Sequence, residues 1–131
     1  MEVLRYMKKI ICDLDNTITI DGPENYAEKK PNLQVVNMLK DYHRKGFSIV
    51  IHTARSMRTY EGDTTLIAKH TLPTIIDWLN KHKVPFDEVV VGKPWCGTSG
   101  FYVDDRAIRP SEFVKLSYSE ITALMEGECL L

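Results

Sequence analysis

Four short apolar runs mark the chain, and each one stops at polar or charged residues. Residues 8–12 end at Asp13, 47–51 at His52 and Thr53, Glu88–Val91 at Gly92 and Lys93, and 101–103 at Asp104 and Asp105. Runs this short and this continuously apolar predict strands buried on both faces of a parallel sheet. Between the first two runs, Asp21, Gly22, Pro23, Asn25 and Pro31 break any period, so 19–32 reads as a connection of about 14 residues, long enough to form a functional flap. Leu33, Val36, Met38, Leu39 and Tyr42 then follow helical spacing, closed by Arg44, Lys45 and the stopping Gly46. Strand, helix and strand make a βαβ unit with an expected right-handed crossover.

After a polar stretch over 54–63, Leu66, Ile67, His70, Ile75, Ile76, Trp78 and Leu79 return to helical spacing around Pro73, which either kinks one helix or starts a second. Ile75, Trp78 and Leu79 read as core. Pro110 opens a short helix and 119–126 a final one. The alternation predicts an α/β fold: a three-layer α/β/α sandwich with a mainly parallel, Rossmann-like sheet.

Length and composition narrow the classes. With 131 residues the chain has room for one domain and none for a cap, and 44% apolar with 27% charged residues is ordinary for a globular protein. A formal charge of -1 without a basic cluster argues against a nucleic-acid partner. Cys12, Cys96 and Cys129 form no CxxC pair and suit a reducing, cytoplasmic setting. No leader is legible at the amino terminus, and no stretch reaches the roughly 18 apolar residues of a membrane span.

The chemistry is carried by what ends the strands. In open parallel sheets the ligand crevice lies along the carboxyl edge, where Asp13 with Asp15, Thr53, Lys93, and Asp104 with Asp105 are expected to converge. Asp13 and Asp15, two apart in an extended stretch, would face the same side. Phosphoryl transfer asks for an anionic nucleophile and a proton donor to the leaving oxygen, roles that suit Asp13 and Asp15. Mg²⁺ binds through one or two carboxylates plus waters and substrate phosphate; Asp13 and Asp104 can supply those, with Asp105 helping. Thr53 can donate to a phosphate oxygen, and Lys93 can neutralise the phosphate and the crowded acids. Arg55, Arg58, Tyr60, Glu61, Trp95 and Arg106 are candidate substrate contacts, with Arg55 or Arg106 expected to meet a second anionic group. His52, with no partner histidine at ligand spacing, reads as packed, and Cys12 as a small buried side chain.

In this order ICDLDNTIT, IHTAR, VGKP and YVDDR resemble the four motifs of the haloacid dehalogenase superfamily. That resemblance implies Asp13 as nucleophile and Asp15 as acid and base, with the Asp15 main-chain carbonyl on the metal. It also implies Thr53 and Lys93 on the phosphoryl group and Asp104 on Mg²⁺, with Asp105 nearby. An acid at position 15 resembles the phosphatases of that superfamily. HTARSMRTYEGD and VGKPWCGTSGFYVDDRAIRPSEF further resemble small capless members assigned to capsule or polysaccharide biosynthesis. The expected substrate is a small phosphorylated metabolite, with selectivity from loops or from a neighbouring copy in a homo-oligomer.

Two other classes fit parts of the pattern. A response-regulator receiver also gathers acids, threonine and lysine around Mg²⁺, but its acid pair precedes a phosphorylated aspartate on a later strand. A non-catalytic module binding a sugar phosphate would keep Lys93 and the metal yet need no Asp15.

Overall fold

The structure is a computed structural model that describes residues 8–129. The reading of the amino terminus as leaderless therefore falls, over residues 1–7, outside the described residues. The chain divides into two compact units, Met1–Trp95 and Cys96–Leu131.

The first unit is built on a parallel sheet of three strands, β1 (Lys9–Cys12), β2 (Ser48–Thr53) and β3 (Glu88–Val91), in the order β1-β2-β3. Register pairs Cys12 with Ile51 and Thr53 with Val91, so the strands end close to one another along the sheet. β2, flanked on both sides, is the strand that matches the expectation of a two-faced burial: Ile49, Val50 and Ile51 are all buried. β1 does not match it. Ile11 is 57% exposed and Lys9 is exposed, while Cys12 is buried. Among the described residues β1 has a hydrogen-bonded neighbour on one side alone, so it is covered less than the central strand, and an apolar run cannot by itself signal which place it takes.

Helix α1 (Leu33–Arg44) joins β1 to β2 and packs on β2 through its buried residues Val35, Val36, Leu39 and Tyr42. Its start is set by Asn32, whose side chain accepts from the amide of Val35, and its end by Gly46 at φ 97°, a left-handed conformation that costs glycine little. Pro73 resolves its two readings in favour of a second start: α2 (Thr64–His70) stops at Thr71, and α3 (Leu72–Lys81) begins with the proline in its first turn, where no amide donor is missed. Asp63 caps α2 by accepting from Thr65 and Leu66 amides. Ile67, Ile75, Trp78 and Leu79 are buried, as their spacing predicts.

The long connection after β1 is ordered. Leu14, itself buried, accepts at its carbonyl from the amides of Thr17, Ile18 and Thr19, which rolls the chain into a tight turn. Thr19 and Pro31 then form an antiparallel bridge, and the tip carries a 3₁₀ turn over Tyr26–Glu28 capped by Asn25. The Trp78 indole donates to the Lys29 carbonyl at 2.7 Å and ties this loop to α3.

The second unit holds α4 (Pro110–Lys115) and α5 (Tyr118–Cys129). Pro110 opens α4 as expected, and Ser117 with Glu120 exchange side-chain and backbone hydrogen bonds at the start of α5. The fourth strand expected over 101–103 is not formed. Phe101 and Val103 are 80% and 89% exposed, and no ladder pairs the segment among the described residues. A three-residue run between glycines and acids has the composition of a strand but too little length to hold one without a neighbouring ladder. Among the described residues no helix is long and apolar enough to cross a membrane.

Candidate functional site

Asp13 is the first residue past β1, and Lys93 lies two past β3. The Lys93 amide donates to the Thr53 carbonyl at 3.1 Å, extending the β2–β3 pairing and fixing the lysine beside the end of β2. From there its Nζ reaches Asp13 Oδ1 at 3.4 Å, across 80 residues of sequence. The turn from β3 to Lys93 is exacting. Gly92 sits at φ 90°, and a Cβ there would meet Thr64 Cγ2 at 2.8 Å. The other carboxylate oxygen of Asp13 accepts from the Thr17 hydroxyl at 3.0 Å. Sequence reasoning gave Thr17 no role, because only the Leu14 turn brings position 17 back onto position 13.

Asp15 does not continue the extended stretch that would align it with Asp13. It starts the turn, followed by Asn16 at φ 60°, and the two acids go to different cations. Arg55 forks Asp15: Nε donates to Oδ2 at 3.0 Å and Nη2 to Oδ1 at 2.7 Å. Such a two-bond fork fixes a carboxylate in plane as well as attracting it. The Arg55 side chain is only 2% exposed. The sequence offers Arg55 or Arg106 for a second anion of the substrate; in the structure Arg55 is buried on Asp15. Charge can be read from sequence, but burial cannot.

Thr53, the last residue of β2, is buried, and its Oγ1 accepts from the Arg55 amide at 3.0 Å, so its own hydroxyl hydrogen is left to donate. His52 is held more in its neutral form than an ordinary histidine, first by burial and then by the Lys93 charge, with Asp13 opposing. The Cys12 thiol is pushed up to about 12, chiefly by burial and then by Asp13, which removes it as a nucleophile.

Tyr60 stacks on His70 at 5.7 Å, and Arg58 lies 6.0 Å from the Trp95 ring. In the second unit Asp104, Asp105 and Arg106 are exposed, and Asp104 Oδ1 accepts from the Arg106 amide at 2.8 Å in a local turn. Among the described residues no group of three or more His, Cys, Asp or Glu side chains is gathered to hold a metal. Mg²⁺ asks little of a protein, one or two carboxylates being usual. The Asp13 carboxylate, whose side chain is 38% exposed, has lone pairs beyond those facing Thr17 and Lys93, which fits that minimum.

A protein of Vibrio cholerae, known from its crystal structure, is 56% identical to the chain, with a TM-score of 0.91 over 93% of this chain and 99% of that one. The chain belongs to that protein's family. A second solved structure, that of the Pnkp1/Rnl/Hen1 complex, has a TM-score of 0.51 at 19% identity over 82% of this chain and 34% of the matched one, a likeness of fold alone. No family model matches the sequence, and neither does any curated protein.

Proposed function

We propose that this protein is a magnesium-dependent phosphatase of the haloacid dehalogenase type, capless, acting on a small phosphomonoester through an aspartyl-phosphate. The observation that carries the reading is the meeting of Asp13 with Lys93 at 3.4 Å at the carboxyl ends of β1 and β3. A carboxylate paired with a lysine at that edge is placed to attack an anionic phosphoryl group that the lysine attracts. A three-layer sandwich with a Rossmann-like sheet is the architecture that goes with this reading, and the cytoplasm its setting.

In the first step a carboxylate oxygen of Asp13 bonds to phosphorus. The bond from phosphorus to the alcohol oxygen breaks, and its electron pair leaves with that oxygen, which takes a proton from Asp15. In the second step Asp15 takes a proton from water, the resulting hydroxide oxygen bonds to phosphorus, and the bond to Asp13 breaks to release inorganic phosphate. Arg55 occupies one lone pair on each Asp15 oxygen and leaves another on each for these transfers. Lys93 and the Thr53 hydroxyl hold the phosphoryl oxygens, and Thr17 keeps the attacking carboxylate in its rotamer. Asp13 and the Asp15 main-chain carbonyl would hold magnesium. Bound there, the ion offsets the charge of the phosphoryl group and of the acids. A phosphorylated sugar or alcohol of polysaccharide synthesis is the proposed class.

The test is phosphate release from a panel of phosphomonoesters. Many turnovers in Mg²⁺, abolished by EDTA and restored by added Mg²⁺, are expected. A single equivalent bound or transferred would instead identify a receiver or a binding module, and turnover unaffected by EDTA would remove the metal.

A further inference from the structure

A guanidinium out of water needs partners on its edge and its faces. The edge of Arg55 has Asp15. One face lies under an aromatic ring: the Tyr26 centroid is 4.0 Å from Arg55 Cζ, while Arg55 Nη1 is buried without a hydrogen-bond partner. Tyr26 comes from the loop over residues 19–31, at the start of the 3₁₀ turn capped by Asn25. That loop is fixed at its base by the Thr19–Pro31 bridge and at its side by the Trp78 indole on the Lys29 carbonyl. Lys29 folds back, its Nζ 5.9 Å from the same ring and 3.2 Å from the Gly22 carbonyl. One aromatic side chain thus links a surface loop to the arginine that holds the acid.

We propose that Tyr26 is a positioning residue whose ring, carried by the 19–31 loop, locks the Arg55 guanidinium in the plane that forks Asp15. The inference rests on the reading of Asp15 as the proton-transfer group. A fork holds both oxygens only while guanidinium and carboxylate stay coplanar. A ring against one face blocks rotation out of that plane and keeps water from competing for the N–H donors. Without the ring, Arg55 can turn and Asp15 keeps one bond or none. A displacement of about 1 Å at a proton-transfer group costs on the order of a hundredfold in rate, and because the ring contacts the arginine rather than the phosphoryl-holding lysine, the loss falls on turnover.

Three forms of the full chain decide it. Tyr26→Ala is expected to lower kcat by about 10- to 100-fold with KM within about twofold, and Tyr26→Phe, which keeps the ring, to restore kcat to within about twofold of wild type. A readout free of turnover is the Arg55 Nε–Hε resonance by ¹⁵N NMR. It should be sharp and slow to exchange in wild type and in Tyr26→Phe, and lost in Tyr26→Ala while the Trp78 indole resonance persists. Wild-type kcat or a sharp Arg55 signal in Tyr26→Ala would overturn the proposal, as would an equal loss in Tyr26→Phe. Loss of the Trp78 resonance together with that of Arg55 would assign the ring to loop folding and overturn it too. Should the wild-type protein hydrolyse no monoester, the phosphatase reading falls alone, and the NMR arm still decides the link from Tyr26 to Arg55.

Discussion

Thr17 and Arg55 show what single side chains add to the pair of Asp13 and Lys93. Thr17 gives Asp13 Oδ2 its hydrogen bond at 3.0 Å, so Thr17→Val frees the Asp13 carboxylate to rotate. A hydrogen bond to a charged group contributes about 1.5–3 kcal/mol, less where water can substitute, so kcat is expected to fall about tenfold. Phosphate-release kinetics beside a thermal melt check this, with the midpoint staying near wild type. Gly92→Ala is a sharper case: the left-handed turn and the close Thr64 methyl both resist a Cβ, so the variant should be less stable and bind phosphate product more weakly, as read by melting and product inhibition. Asp13 was legible because it directly follows an apolar run, and Lys93 because it comes one glycine past another such run. Thr17 was not, because its role depends on three amides closing on the Leu14 carbonyl, a turn with no glycine or proline to announce it. Arg55 was legible as a charge but its bond to Asp15 was not, since that partner lies 40 residues away and the burial follows from packing.

At the scale of elements, pattern served best where caps and period agreed. Helix α1 has both, and Leu39 on its inner face is fully buried. Leu39→Ala should cost about 2–5 kcal/mol, seen as a lower urea midpoint at unchanged slope. The two helices around Pro73 were legible as a pair of options that only the chain's path could decide. The segment 101–103 was misread because a strand is defined by its partners, and composition carries no information about pairing. The end of α3 carries a pH dependence. The His82 ring lies tilted against Trp78 with centroids 4.5 Å apart, and its affinity for a proton is lowered by burial and then by Lys81. A histidine that binds its proton less readily when folded gives the unfolded chain the greater uptake. Its contribution is present above its unfolded value of about 6.5 and is lost as pH falls through the depressed folded value. Stability should therefore decline from pH 7 toward pH 5, and less steeply in His82→Gln, as thermal melts across that range will show.

For the molecule as a whole, a three-strand parallel sheet delivers functional groups from distant sequence to one edge, the reason Asp13 and Lys93 meet at all. The family relationship to the Vibrio cholerae protein extends over nearly the entire chain, so the arrangement can be sought there as well. The claim on which the mechanism depends is that Asp13 becomes covalently phosphorylated. The direct measurement is acid quench during turnover of an aryl phosphate with Mg²⁺, borohydride reduction of any acyl phosphate, and mass spectrometry of the peptide spanning residue 13. The account predicts reduction of the side chain at position 13, and a folded but inactive Asp13→Asn variant that gives none. An unmodified residue 13 in a protein that is turning over, or full activity in Asp13→Asn, would contradict it.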